Sequence, residues 1–199
     1  MGMSVSKRLV ALALAAATVF SLAGCANDTL ANQYKSGDNK NYIAGDGTVS
    51  EFAKVNRLSA VKWSGKTESG ATVSSDQLAG VAVVMNFWYA GCAPCRAEAP
   101  DLVALNKKYA GQKVQFIGVN VRDTADTALA FDRTFKIDWP SILDSSTGSV
   151  LLAFSGVVSP QAVPTTLVID RDGKVAARIL GRLEKGTLDA LIKRVVTEK

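Results

Sequence analysis

The sequence predicts an α/β fold, in which a central mixed sheet carries helices on both faces and a β-hairpin precedes it. Three observations lead there. Val81-Ala82-Val83-Val84-Met85-Asn86-Phe87-Trp88 is an almost unbroken apolar run of strand length, as expected of a strand buried on both sides. A helix-length segment follows it directly, and a second strand follows that, the order that builds parallel neighbours. Near the C-terminus two further strands are separated only by Arg171-Asp172-Gly173, so they pair antiparallel and make the sheet mixed.

The elements are expected in this order. Residues 59–66 and 71–74 form the hairpin, with Glu68-Ser69-Gly70 at its turn. Strand 81–88 leads into helix 93–109, which has Pro94 in its first turn and Pro100 as a kink. Strand 113–121, helix 124–135 and a short strand around Ser141-Ile142-Leu143 come next, then a short helix over 146–154. Strands 165–170 and 174–180 flank the Gly173 turn. The last helix, 184–196, is apolar at Leu188, Leu191, Ile192 and Val195, one face of a 3.6-residue period. Repeats, low-complexity tracts and a phosphate-binding loop are not apparent, and residues 51–199 read as a single domain.

Cys92-Ala93-Pro94-Cys95 falls at the strand-to-helix junction. Two cysteines at this spacing can close a disulfide or supply half of a zinc site. Zinc is excluded by inventory, because the chain has no histidine and only one other cysteine, Cys25. A purely structural disulfide is disfavoured, since so short a loop removes little chain entropy. Redox chemistry remains. A thiol in the first turn of a helix meets unpaired N–H groups and partial positive charge, which lower thiol pKa values to about 3.5–7.5 from about 8.5. Cys92 is therefore the expected attacking sulfur, exposed at the helix start. Cys95, one turn further in, is expected to be shielded and to act second.

Trp88, the Cys92/Cys95 pair with Pro94 inside it, Pro100 and the distant Val163-Pro164-Thr165 together resemble the thioredoxin superfamily. The resemblance implies a thioredoxin-like fold and a cis bond before Pro164, packed beside the disulfide. It also implies a partner-binding surface of Trp88, Val163, Pro164 and Thr165. Within the superfamily, Asn86-Phe87-Trp88 is similar to the N-F-W of membrane-anchored TlpA/ResA-type thiol–disulfide oxidoreductases. Cys95 and Pro164 are 69 positions apart, which leaves space for that group's inserted helix. Glu98 matches a glutamate that tunes the cysteine pair there. Read from its own position it either accepts the Cys95 proton or is a solvated helix residue. Gly91 stands where most relatives carry Trp, so an aromatic wall beside the sulfur is missing. The resemblance implies Cys92, Cys95, Pro164 and Glu98 as the catalytic set, with the redox disulfide and no other cofactor.

The N-terminus supplies an address. Lys7-Arg8 precedes an apolar stretch from Leu9 to Ala23, shorter than the roughly 20 residues that span a bilayer. It ends in Leu22-Ala23-Gly24-Cys25, which resembles a bacterial lipobox. Residues 1–24 are then a signal peptide, and Cys25 carries lipid, which accounts for the odd cysteine. Residues 25–50 are rich in Asn, Asp and Gly and read as a flexible tether reaching on the order of 25–30 Å. The expected location is the outer face of the cytoplasmic membrane, where disulfides form. The implied partners are thiol- or disulfide-containing exported proteins, such as apocytochrome c, and a membrane electron donor or acceptor. Lys7 and Arg8 are the only charges before Cys25, so processing takes the net charge from +5 to +3. The scattered basic residues give no support to nucleic-acid binding. Reduction is the expected direction, with disulfide formation or isomerisation, or a non-catalytic binding lipoprotein, as alternatives.

Overall fold

The computed structural model describes residues 49–159 and 162–198, which fall within one compact unit, Lys40–Lys199. The signal peptide, Cys25 and nearly all of the tether lie outside the described residues. The strands are β1 (Val49–Glu51), β2 (Ser64–Lys66), β3 (Thr72–Ser74), β4 (Ala82–Trp88), β5 (Val114–Asn120), β6 (Ser141–Leu143), β7 (Thr165–Ile169) and β8 (Val175–Leu180). The helices are α1 (Ala93–Tyr109), α2 (Ala125–Phe135), α3 (Ser149–Ala153) and α4 (Lys185–Thr197).

Six strands form one sheet in the order β1-β8-β7-β4-β5-β6, and β2-β3 form a separate hairpin. β4 runs parallel to β5 and antiparallel to β7, so the sheet is mixed as expected. All seven β4 residues are buried, because both faces are covered. Ala82 and Val84 pack with Leu102 and Leu105 of α1 and Leu188 and Ile192 of α4. Val83, Met85 and Phe87 point the other way, onto Trp63, Val150 of α3 and Phe154. The hairpin docks on edge strand β6, where Glu68 N donates to Ser141 O at 3.1 Å and Ser141 N donates to Glu68 Oε2 at 2.7 Å.

Most elements lie where the sequence places them. The Gly173 turn has the expected positive φ, 78°, a conformation open to glycine without a Cβ clash. Three differences stand out. The first hairpin strand, expected over 59–66, shortens to Ser64–Lys66. Val49 and Ser50, assigned to the tether, belong to β1, antiparallel to β8. The helix expected over 146–154 shortens to Ser149–Ala153.

Candidate active site

The disulfide sits on the carboxyl side of β4. It joins Cys92 and Cys95, with Cα atoms 5.2 Å apart. Cys92 is the N-cap of α1, and its Sγ accepts a hydrogen bond from Cys95 N at 3.2 Å. Sulfur thus takes the place of the hydroxyl or carboxylate oxygen of an ordinary cap, facing the unpaired N–H groups of the first turn. Negative charge arriving on this sulfur meets the positive end of α1. The loop leading into it is clamped from β5. Ala90 N donates to Asp123 Oδ2 at 2.6 Å, and Asn120 Nδ2 donates to the same oxygen at 2.7 Å. Asn120 Oδ1 in turn accepts from Arg122 N and Asp123 N. Sequence reasoning missed both Asn120 and Asp123. The signal that could have found them was an Asn closing an apolar strand, with an acid three residues on.

Burial corrects two expectations. Cys92 is as buried as Cys95, at 3% and 2% exposure, in a cluster against which Tyr89, Ala90 and Val163 pack. The exposed rim is Gly91, Ala93, Pro94 and Arg96. A Cβ built on Gly91 meets only the Tyr89 ring, at 3.5 Å, so this side of the pair is open. Trp88 is likewise buried. It shares a packed cluster with both cysteines, and its ring lies 4.3 Å from that of Phe131 of α2, tilted by 37°. Thr165 is fully buried, its hydroxyl donating to Ala162 O at 2.5 Å. Pro164 is buried too, and the Val163–Pro164 bond is cis. Of the four residues expected to contact a partner, only Val163 is partly exposed.

Glu98 is not a solvated helix residue. It is fully buried on the inner face of α1, in register with Cys95, Ala99, Leu102 and Leu105, and three residues after Cys95 it shares that cysteine's helix face. Its Oε1 accepts from Asn86 Nδ2 at 2.9 Å and its Oε2 from Leu183 N at 3.0 Å. Asn86 also donates to Thr166 Oγ1 at 3.0 Å. One carboxyl therefore links α1, β4, β7 and the segment entering α4. Burial pushes the Glu98 carboxyl up to about 7, against the pull of the Leu183 and Asn86 hydrogen bonds and the Arg182 charge; Asp101 adds to the rise. Near neutral pH it can therefore hold or release a proton beside the inner cysteine. Among the described residues, no cluster of three or more Cys, Asp or Glu is placed to hold a metal ion.

The AhpC/TSA family model matches residues 57–178, more than half of the chain. The chain belongs to the AhpC/TSA family. Among curated relatives, the thiol–disulfide oxidoreductase ResA of a Bacillus cereus strain is 29% identical over 126 residues, covering 63% of this chain and 70% of that protein. ResA of Bacillus subtilis (strain 168) is 30% identical over 120 residues, 60% of this chain and 64% of that one. Among solved structures, a secreted thiol-disulfide isomerase from Corynebacterium glutamicum superposes with a TM-score of 0.71 at 26% identity, covering 78% of this chain and 96% of that chain. A thiol:disulfide interchange protein from Chlorobium tepidum gives 0.65 at 31% identity, over 72% and 99%. With the disulfide at the head of α1, these likenesses make the chain a thioredoxin-like thiol–disulfide oxidoreductase.

Proposed function

We propose that the protein reduces disulfides in exported proteins, apocytochrome c among them, from the outer face of the cytoplasmic membrane, with Cys92 attacking and Cys95 resolving. The single observation that carries this order is the cap: Cys92 Sγ, not Cys95 Sγ, takes the helix N–H. Cys92 thiolate attacks a partner disulfide, and one partner sulfur leaves with the electron pair. Cys95, deprotonated, attacks Cys92 Sγ; the Cys92–partner bond breaks and the second partner sulfur leaves as a thiolate, which takes a proton from solvent. The enzyme ends as the disulfide and the partner as the dithiol. Glu98, part ionised near neutral pH and on the same helix face, takes part in deprotonating Cys95. Among the described residues nothing pairs with the Val163 backbone, which supports strand-like pairing there with an extended partner segment.

Residues 1–24 are the signal, Cys25 the lipidated residue and the following stretch a tether, ending at β1 rather than at residue 50. Among the described residues no helix is long and apolar enough to cross a membrane. The names ResA, secreted isomerase and interchange protein, borne by the relatives, support work outside the cytoplasm on protein thiols. The Corynebacterium neighbour's name also supports a second reading, disulfide isomerisation.

Cys95→Ser is expected to accumulate mixed disulfides with exported proteins, and Cys92→Ser few; equal trapping would refute the order. A reduction potential of the pair near about −270 mV fits a reductant, and one near about −120 mV an oxidant. Cys25→Ser is expected to abolish lipid attachment; a fully processed, membrane-retained variant would rule out the anchor.

A further inference from the structure

Behind Cys95 lies a cavity of about 10 Å³, lined by Asn86, Trp88, Cys95, Phe131, Asp132 and Ser141, among others. That is the room needed by one water. Two polar atoms at this site, Asp132 Oδ1 and Ser141 Oγ, are buried with no hydrogen-bond partner among the described residues. The residues themselves are 9% and 1% exposed. Buried polar groups are normally paired, so two unpaired ones around a water-sized space call for an occupant with polar contacts. Glu98 does not line this space, and both of its oxygens already accept hydrogen bonds. Gly118 makes the close packing possible. A Cβ there would come within 2.1 Å of Ser141 Oγ and 2.8 Å of Trp88 Nε1.

We propose that this cavity is a proton-exchange site, in which a water held by Asp132 Oδ1 and Ser141 Oγ passes the proton of the Cys95 thiol to Asp132. The step rests on the Cys92/Cys95 exchange described above. Cys95 S–H gives its proton to the water, and Asp132 carboxylate takes a proton from that water. The sulfur keeps its electron pair and attacks Cys92 Sγ, the Cys92–partner bond breaks, and the partner sulfur leaves as a thiolate that takes a proton from solvent. In the reverse direction the Asp132 acid returns the proton to Cys95. Asp132 never touches the sulfur; it acts through the water, alongside Glu98, and Asn86 links the two because it lines the cavity and donates to Glu98. The charges facing Asp132 are Glu68 at the hairpin turn and Arg133 on its own helix. Arg96 of α1 lies over Phe135, further along α2. Burial first, then Glu68, push Asp132 up to about 7, with Arg133 opposing, so the acid and its base are both populated at neutral pH.

The test is a single turnover of the reduced full-length chain with one equivalent of dithiobis(nitrobenzoate), followed across pH. The first release of coloured thiol reports attack by Cys92, the second ring closure by Cys95. In Asp132→Asn the first phase is expected to be unchanged, while the second slows about tenfold or more near neutral pH and its pH midpoint moves by about one unit. Ser141→Ala, which keeps the carboxyl, is expected to slow the second phase in the same sense. If Asp132→Asn fails to fold, Ser141→Ala decides by the same criterion. A second phase that overlays the parent's at every pH, while that of Glu98→Gln moves, overturns the proposal and leaves the exchange reading intact. Absence of any second release in the parent removes the exchange reading itself.

Discussion

Glu98 shows at the scale of one side chain how burial sets a charge. Its folded-state pKa lies at about 7, above the ordinary 4.5, because burial outweighs its two hydrogen bonds. Between those values the native state binds more protons than the unfolded chain, so stability falls as pH rises from about 4.5 to 7 and stays lower above. Asp132, raised in the same way, adds to the same slope. In Glu98→Gln the pH-dependent loss is removed, but the amide cannot accept from both Asn86 and Leu183. The variant is therefore expected to be less stable than the parent at about pH 5 and to lose the difference, or reverse it, by about pH 8. Melting temperatures across that range check this; parallel curves would show that Glu98 is ionised throughout. The sequence left the role of Glu98 open, because its position in the chain does not reveal that Leu183, 85 residues away, donates to it. Cys92 and Cys95 were legible from spacing alone, whereas the burial of Cys92 involves Val163, distant in sequence and brought alongside by β7, the strand next to β4.

Among the elements, α1 was legible to within a residue, since it follows a buried strand directly and carries Pro94 in its first turn. α3 was not. Asp144 Oδ1 accepts from Val150 N at 3.1 Å and Oδ2 from Leu151 N at 2.8 Å, while Thr147 and Ser149 hydroxyls bind the same carboxylate. One buried acid thereby holds residues 144–148 in a turn, with Gly148 left-handed at φ 61°, and delays the helix to Ser149. Local polar capture of the backbone competes with helix formation, and composition does not say which wins. Asp144→Ala is expected to cost about 1–3 kcal/mol, the penalty for leaving buried N–H groups unpaired. Urea denaturation reads it, and a change under about 0.5 kcal/mol would mean that water replaces the carboxylate. β1 escaped notice for a different reason. A three-residue strand with only Ser50 facing inward carries no alternation to detect.

Across the whole molecule, the N-terminal segment, the β7–β8 turn and the C-terminus meet at one guanidinium. Arg57, with its side chain 2% exposed, donates from Nη1 to Asp170 Oδ2 and Glu198 Oε2, both at 2.7 Å, and from Nη2 to Glu198 Oε1 at 2.6 Å. Its Nε donates to Phe52 O at 3.0 Å, just beyond β1. Asp170 has a second task, accepting from Asp172 N and Lys174 N to shape the Gly173 turn. The clamp fastens the entry and exit of the domain to the sheet, on parts of the chain that no local pattern connects. Removing one member of a buried ionic set leaves the others charged and unpaired, at about 3–5 kcal/mol, so Arg57→Ala is expected to lower stability by that order. Arg57→Lys is expected to recover only part, because an ammonium on a flexible stem lacks the planar fork that spans two carboxylates. Asp170→Asn with Arg57→Ala is expected to cost less than the sum of the single changes, since the pair is coupled. The cysteine exchange rate, measured where each variant is still folded, should stay at the parent value, because no contact of this clamp reaches α1. Additive losses in denaturant, or a slowed exchange in folded Arg57→Ala, would show that the charges act separately or that the clamp bears on the site.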